Sequence, residues 1–198
     1  MGRLQVFVRW LFTPYEFVES FVPESGRIVD LGCGYGLFAN FLSVKSGKRD
    51  VFGVDISAER IRRADKTVGL RRNIGFVVGD LKNFEFDDVD VFVIYDVLHH
   101  INRKGQVDLV ERCFRVLNRG GLFVIKESGI TPLWKGIINY LIEFFALGFR
   151  ITESEGLNFR SQEDWEDLLR AKGFTVEVSE HIRSWHPWPH ILFVCRRE

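Results

Sequence analysis

The chain has 198 residues, 46% of them apolar and 27% charged, with 27 Lys plus Arg against 27 Asp plus Glu. This length suits one domain with a sizeable core, and zero net charge gives no bulk attraction to nucleic acid or an anionic membrane. Cys33, Cys113 and Cys195 lie far apart and make neither a disulfide framework nor a metal-type pair, so a reducing cytoplasm is expected and no metal site is.

Residues 4–12 are too apolar for a free tail and read as a helix or cover. Arg3 and Arg9 interrupt this stretch, which lacks the apolar run and small-residue cleavage site of a signal peptide. No window holds the ~18 uninterrupted apolar residues of a transmembrane helix. Pro14 suits a helical first turn, and the helix continues from Tyr15 to Val22, before Pro23.

Ile28, Val29 and Leu31 form a first strand over 27–31, with Asp30 near its carboxyl end. Gly32, Gly34 and Gly36 then turn the chain into a helix over about 36–45. Glycines at this spacing let backbone N–H groups approach a ligand with no Cβ in the way. A second strand at 51–55 ends in Asp55, and Ser57 caps a helix running to about Val68. A third strand at 74–78 ends in Gly79-Asp80.

A fourth strand at 90–95 is continuously apolar and needs cover on both faces. Asn102 caps a helix at 103–117 whose apolar face is Val107, Val110, Phe114 and Leu117. Asn118-Arg-Gly-Gly121 turns into a fifth strand at 122–126. Strands alternating with helices predict a parallel, doubly wound sheet.

Residues 133–149 read as one helix, apolar on most sides, with a narrow polar stripe of Lys135, Asn139, Glu143 and Arg150. Ser161 and Asp164 box the start of a helix at 162–172 that buries Trp165, Leu168 and Leu169. Strands at 174–178 and 191–195 close the chain. Their link holds Trp185, His186, Pro187, Trp188 and Pro189 and reads as a hairpin. Arg60, Arg62, Arg63, Lys66, Arg71 and Arg72 form a basic cluster, read as a solvated face.

The stretch Val29-Asp-Leu-Gly-Cys-Gly-Tyr-Gly36 resembles the first motif of Rossmann-like (class I) S-adenosylmethionine-dependent methyltransferases. Val54-Asp55, Gly79-Asp80 and Tyr95-Asp-Val-Leu-His-His100 follow at successive strand ends in the family's order. Leu117-Asn-Arg-Gly-Gly121 resembles the family's Leu-Lys-Pro-Gly-Gly turn, with Arg119 in place of proline.

The resemblance implies a seven-stranded α/β sheet of order 3-2-1-4-5-7-6, strand 7 antiparallel, with helices on both faces. It implies S-adenosylmethionine held by Asp30, Gly32, Cys33, Gly34, Gly36, Asp55, Ile56, Asp80, Leu81 and Tyr95. Asp55 would accept from the ribose hydroxyls, Asp80 from the adenine amino group, and Ile56 would pack on the adenine. The chain is then one methyltransferase domain: an N-terminal helical cover (1–26), a cofactor core (27–128), a lid-like helical insertion (129–160) and a C-terminal helix and hairpin (161–198).

His99 and His100 are the catalytic candidates, because imidazole suits removal of an acceptor's proton near neutral pH. A weakly polar lid suggests a small-molecule or lipid-like acceptor and is compatible with peripheral membrane contact. The oligomeric state is not legible. Two other readings stand: a non-catalytic scaffold that binds the cofactor, and an NAD(P)-dependent oxidoreductase. Against the latter, Leu37 occupies the third position of G-x-G-x-x-G, and the chain holds no Tyr-x-x-x-Lys pair.

Overall fold

Val91 to Ile94 has no polar alternation, and a strand of that kind must be covered twice. In the computed structural model, which describes residues 13–83, 85–128, 156–182 and 189–198, it lies at the centre of a seven-stranded sheet. The strands are β1 (Gly26–Leu31), β2 (Arg49–Asp55), β3 (Ile74–Val78), β4 (Val89–Tyr95), β5 (Leu117–Ser128), β6 (Phe174–Ile182) and β7 (His190–Arg197). Their order is β3-β2-β1-β4-β5-β7-β6. The first five pair in parallel, and β7 runs antiparallel between β5 and β6. The expected topology is the observed one.

The helices are α1 (Tyr15–Glu19), α2 (Leu37–Lys45), α3 (Ala58–Asp65), α4 (Arg103–Val116) and α5 (Gln162–Ala171), with a 3-10 turn at Leu98–His100. Asn102 accepts from the Gly105 N–H, and Ser161 with Asp164 forms the expected capping box. Ser57 stands at its N-cap position but makes no side-chain cap. The expected lid at 133–149 and the hairpin tip at 183–188 lie outside the described residues, as does the cover at 4–12.

Several boundaries differ from the sequence expectation, for tertiary reasons. β5 begins at Leu117, because Leu117 pairs with Val89 across a register shift, so the Asn118–Gly121 stretch is part of the strand. β6 and β7 each run longer than expected because they pair with one another from Phe174↔Arg197 to Ile182↔His190. The buried face of α4 is Gln106, Leu109, Val110 and Cys113, rotated from the expected stripe. Gln106 turns inward because its amide donates to the carbonyls of Leu98 and Asn158.

Alternating side chains divide the core into two layers. Val29, Leu31, Phe92, Ile94, Phe123 and Ile125 face α4 and α5. Ile28, Val91, Val93, Tyr95, Leu122 and Val124 face α1 and α2. In α1, Tyr15 stacks on Phe38 of α2 at 5.4 Å and contacts Tyr95 at 5.2 Å. Among the described residues, no helix is long and apolar enough to cross a membrane.

Arg49 ties the N-terminal segment to the sheet. It is 2% exposed, donates to the carbonyls of Pro23, Val22 and Leu42, and pairs with Glu19 at 2.8 Å. Arg49→Met strands three carbonyls and one carboxylate. It is expected to lower unfolding free energy by about 3 kcal/mol, read as a lower denaturant midpoint with unchanged slope.

Candidate active site

β1 leads outward through β2 to β3, whereas β4 begins the other half of the sheet, so the strand order reverses between β1 and β4. Ligands of open α/β sheets bind in the crevice at such a reversal, beyond the carboxyl ends of the strands. Asp30 ends β1 there, 1% exposed, in register with Gly53 and Val93.

The three loop glycines do different work. Gly32, at φ +79°, faces the side chain of Val97, where an added Cβ would come within 2.5 Å. Gly36, at φ +72°, is pressed against the ring of Phe76, as is Gly53. Only Gly34, at φ +57°, has nothing within 4 Å of where a Cβ would stand. The backbone is pinned from below, with the N–H groups of Gly32 and Cys33 both donating to the Val54 carbonyl at 2.7 and 2.9 Å.

Asp55 ends β2 and is 4% exposed. One of its oxygens accepts from the Gly34 N–H and the other from the Ser57 N–H, both at 2.9 Å. Arg60 approaches it at 3.8 Å, and Arg71 bonds to Asn40 and to the Thr67 and Val68 carbonyls. These two members of the basic cluster are thus tied inward, a departure from the solvated face expected of them. Asp80 closes a turn, its Oδ1 accepting from the Lys82 N–H at 2.9 Å. Leu81 packs partly into the core, and Ile56 stands 54% exposed beside Asp55.

Burial, then the Asp30 and Asp55 carboxylates, push the Cys33 thiol far above the ordinary range. Tyr95 ends β4 within a ring cluster, 5.1 Å from Phe38 and with the Lys126 ammonium 4.9 Å above it.

The loop after β4 is held by the end of β5. Glu127 Oε1 accepts from the N–H groups of Val97 and Leu98 at 2.9 and 2.7 Å. Its other oxygen lies 2.7 Å from His99 Nδ1, with both side chains 2% exposed. A carboxylate only accepts, so Nδ1 carries the proton and Nε2 is the basic nitrogen. Phe159 stacks on the His99 ring at 5.0 Å, and the His100 ring lies 4.1 Å away.

Sequence reasoning missed Glu127, its neighbour Lys126, and Asp96. The available signal was a Lys-Glu pair closing an otherwise apolar strand. The strand pleat sends the pair to opposite faces: Glu127 to His99, and Lys126 to Tyr95 and Asp96. Lys126 is fully buried and donates to both oxygens of Asp96 at 2.6 Å. Burial alone would raise the Asp96 carboxyl. The Lys126 ammonium outweighs this, with help from the His190 and His99 rings when they are protonated, and holds it at about 2. His190 is buried in β7 opposite Ser128.

Comparison with known proteins agrees with this geometry. Residues 28–121 match the profile of a methyltransferase domain family. An uncharacterized methyltransferase of Schizosaccharomyces pombe is 28% identical over 193 residues, covering 87% of this chain and 73% of its own length. Demethylmenaquinone methyltransferase of Thermotoga maritima is 24% identical over 182 residues, covering 85% and 77% respectively. The methyltransferase solved in complex with the Haloferax volcanii Trm112 activator superposes with a TM-score of 0.77 at 18% identity, over 98% of this chain and 92% of that one.

Over residues 28–121 the chain is thus similar to a methyltransferase domain, and its fold is that of solved S-adenosylmethionine-dependent methyltransferases. One such neighbour, human N-acetylserotonin methyltransferase, is solved in complex with S-adenosylmethionine. The residues present fit that group: an open cradle over Gly34, carboxylates at the ends of β1 and β2, and an exposed apolar Ile56 beside them.

Two expectations follow. Gly34→Ala should cost about 1 kcal/mol of stability, the price of a non-glycine left-handed residue. Its methyl fills the cradle, so affinity for S-adenosylhomocysteine should fall by about tenfold or more in calorimetry. Gly36→Ala should instead destabilise the fold itself, because its Cβ meets Phe76 and Ala64. Second, the Asp96 carboxyl lies below its ordinary value of 3.8, so it adds stability above that pH and loses it as pH falls from 3.8 towards 2. The loss is about 2 kcal/mol, and Asp96→Asn should remove that part of the slope in denaturant titrations across this range.

Proposed function

We propose that this single domain transfers a methyl group to a small-molecule or lipid-like acceptor, with His99 and His100 handling the acceptor's proton. The observation that carries the reading is the His99–Glu127 pair, buried at the carboxyl ends of β4 and β5 beside the cofactor crevice.

When bound, S-adenosylmethionine supplies an electrophilic methyl on a positively charged sulfur. We assign its methionine end to Asp30 and to the loop of Gly32, Cys33, Gly34 and Gly36, with Tyr95 alongside. Asp55 would hold the ribose hydroxyls with acceptor capacity left over from the Gly34 and Ser57 amides. Asp80, Leu81 and Ile56 would frame the adenine. Methyl transfer is an in-line displacement, so the protein's task is alignment and exclusion of water. An oxygen or nitrogen acceptor must also lose a proton. His99 suits that step because Glu127 fixes its tautomer and leaves Nε2 as the base. His100, against the same ring, would align the acceptor.

A lipid-like acceptor is supported by the apolar composition of 133–149, read as a lid, and by the similarity to a demethylmenaquinone methyltransferase. Residues 1–26 would complete the cover, and a cytoplasmic enzyme touching a membrane peripherally would meet such an acceptor.

The test joins binding to turnover. S-adenosylhomocysteine should bind in calorimetry, and NAD should not. Labelled S-adenosylmethionine should then label quinones, phenols or other amphipathic acceptors in a panel in preference to small polar ones. The double variant His99→Ala/His100→Ala should keep nucleoside affinity and lose about 100-fold or more in turnover. Binding of NAD alone would overturn the cofactor assignment, labelling of polar acceptors only would overturn the lipid-like one, and full turnover in the double variant would remove the histidines from the chemistry.

A further inference from the structure

The cofactor assignments account for the ends of β1, β2 and β3. They leave unexplained a second polar group, at the ends of β4, β5 and β7, on the α1 and α2 side of the sheet. Its parts are Asp96, Lys126, Ser128 and His190.

Asp96 stands apart in three respects. Its φ is +55°, one of two non-glycine residues with positive φ among those described. Such a conformation persists only where surrounding contacts impose it, and it recurs where a side chain must be aimed. Here the contacts are its own N–H donating to the Lys126 carbonyl at 2.9 Å, the ammonium on both carboxylate oxygens, and the Ser128 hydroxyl at 3.3 Å. Second, the two partners of the ion pair are buried unequally: Lys126 is 0% exposed and the Asp96 side chain is 22% exposed. The cation is the foundation, and the anion presents the open edge. Third, Val97, the next residue, packs on Gly32 of the cofactor loop. The open carboxylate therefore stands one residue from the cofactor crevice, between Tyr95 and Val97.

The carboxylate stays ionised throughout the physiological range, being held near 2 by the ammonium. A group that weakly basic does not take a proton from an acceptor. It can accept a hydrogen bond from one. With Lys126 already balancing its charge, it has little surplus attraction for a cation, and its spare lone pairs suit a neutral donor.

We infer that Asp96 is a positioning residue for the acceptor, its carboxylate receiving a hydrogen bond from a hydroxyl or N–H borne by the acceptor's reacting end. This rests on the methyltransferase reading and sharpens it. The acceptor is amphipathic, with a donating polar group at the methylated end, and a wholly apolar or anionic reacting end is disfavoured. An anionic end would set acceptor against acceptor, with no proton to share, and an apolar one would bury the open edge without a partner.

The experiment uses the full chain saturated with S-adenosylhomocysteine, whose binding is first measured by calorimetry. Four matched fragments serve as probes in ligand-observed NMR: phenol and benzyl alcohol, which donate; anisole, in which the donor is capped; and benzoate, an anion. Phenol or benzyl alcohol should bind more tightly than anisole and benzoate by about tenfold. Asp96→Leu, which removes the acceptor oxygens, should abolish that preference while leaving nucleoside affinity unchanged. The double variant Asp96→Leu/Lys126→Met removes the stranded ammonium, so it should recover thermal stability without recovering the preference.

Phenol and anisole binding alike, a preference for benzoate, or no fragment binding to nucleoside-saturated protein would each overturn the assignment of Asp96. So would a preference that survives in Asp96→Leu or returns in the double variant, since the residue would then only neutralise Lys126. Failure of the nucleoside itself to bind would overturn the methyltransferase reading and this inference with it.

Discussion

The crevice depends on one close approach, that of the backbone at Gly32 to the side chain of Val97. The glycine loop is wedged between elements remote from it in sequence. Val97, after β4, presses on Gly32, and Phe76 of β3 presses on Gly36 and Gly53. The Val54 carbonyl of β2 holds the loop from below. Two of the three glycines therefore serve the packing of the protein against itself, and only Gly34 leaves space for something else. Because the Val97 N–H is held by Glu127, which also holds His99, the glycine loop and that histidine are tied to the same carboxylate. On the proposed reading, nucleoside and acceptor would share this reference, as an in-line transfer needs.

The end of β5 shows how a buried charge shapes the backbone around it. Lys126 and Glu127 are consecutive, so a strand must send them to opposite faces. Each then needs a partner within its own layer, because an uncompensated charge in a dry interior costs several kcal/mol. Glu127 meets an imidazole and two amides. Lys126 meets Asp96, whose left-handed backbone turns the carboxylate back over the strand end. The buried polar clusters at the ends of β4 and β5 are thus built around two residues that hydropathy alone would place at a strand terminus in solvent.

The family profile covers 28–121, the part of the chain that makes the cofactor half of the sheet. Lys126, Glu127, Ser128, Phe159 and His190 all lie beyond it. On the proposed reading the nucleoside cradle lies within the matched stretch, and the acceptor side would be assembled beyond it, from β5, β7 and the segment before α5.

The sequence by itself determined much of what local periodicity and local steric rules govern. The continuous apolar runs marked the central strands, Asn102 and Ser161 marked helix starts, and the glycine spacing marked the turn beyond β1. Only the tertiary structure decided which glycine opens to a ligand, that Arg49 is a buried tie to α1, and that Glu127 and Lys126 reach back some 30 residues to His99 and Asp96. Those pairings follow from the register of β4 against β5, and register is a property of two strands together, set by how whole faces pack. A single strand read in isolation carries its pleat but not the neighbour that the pleat will meet.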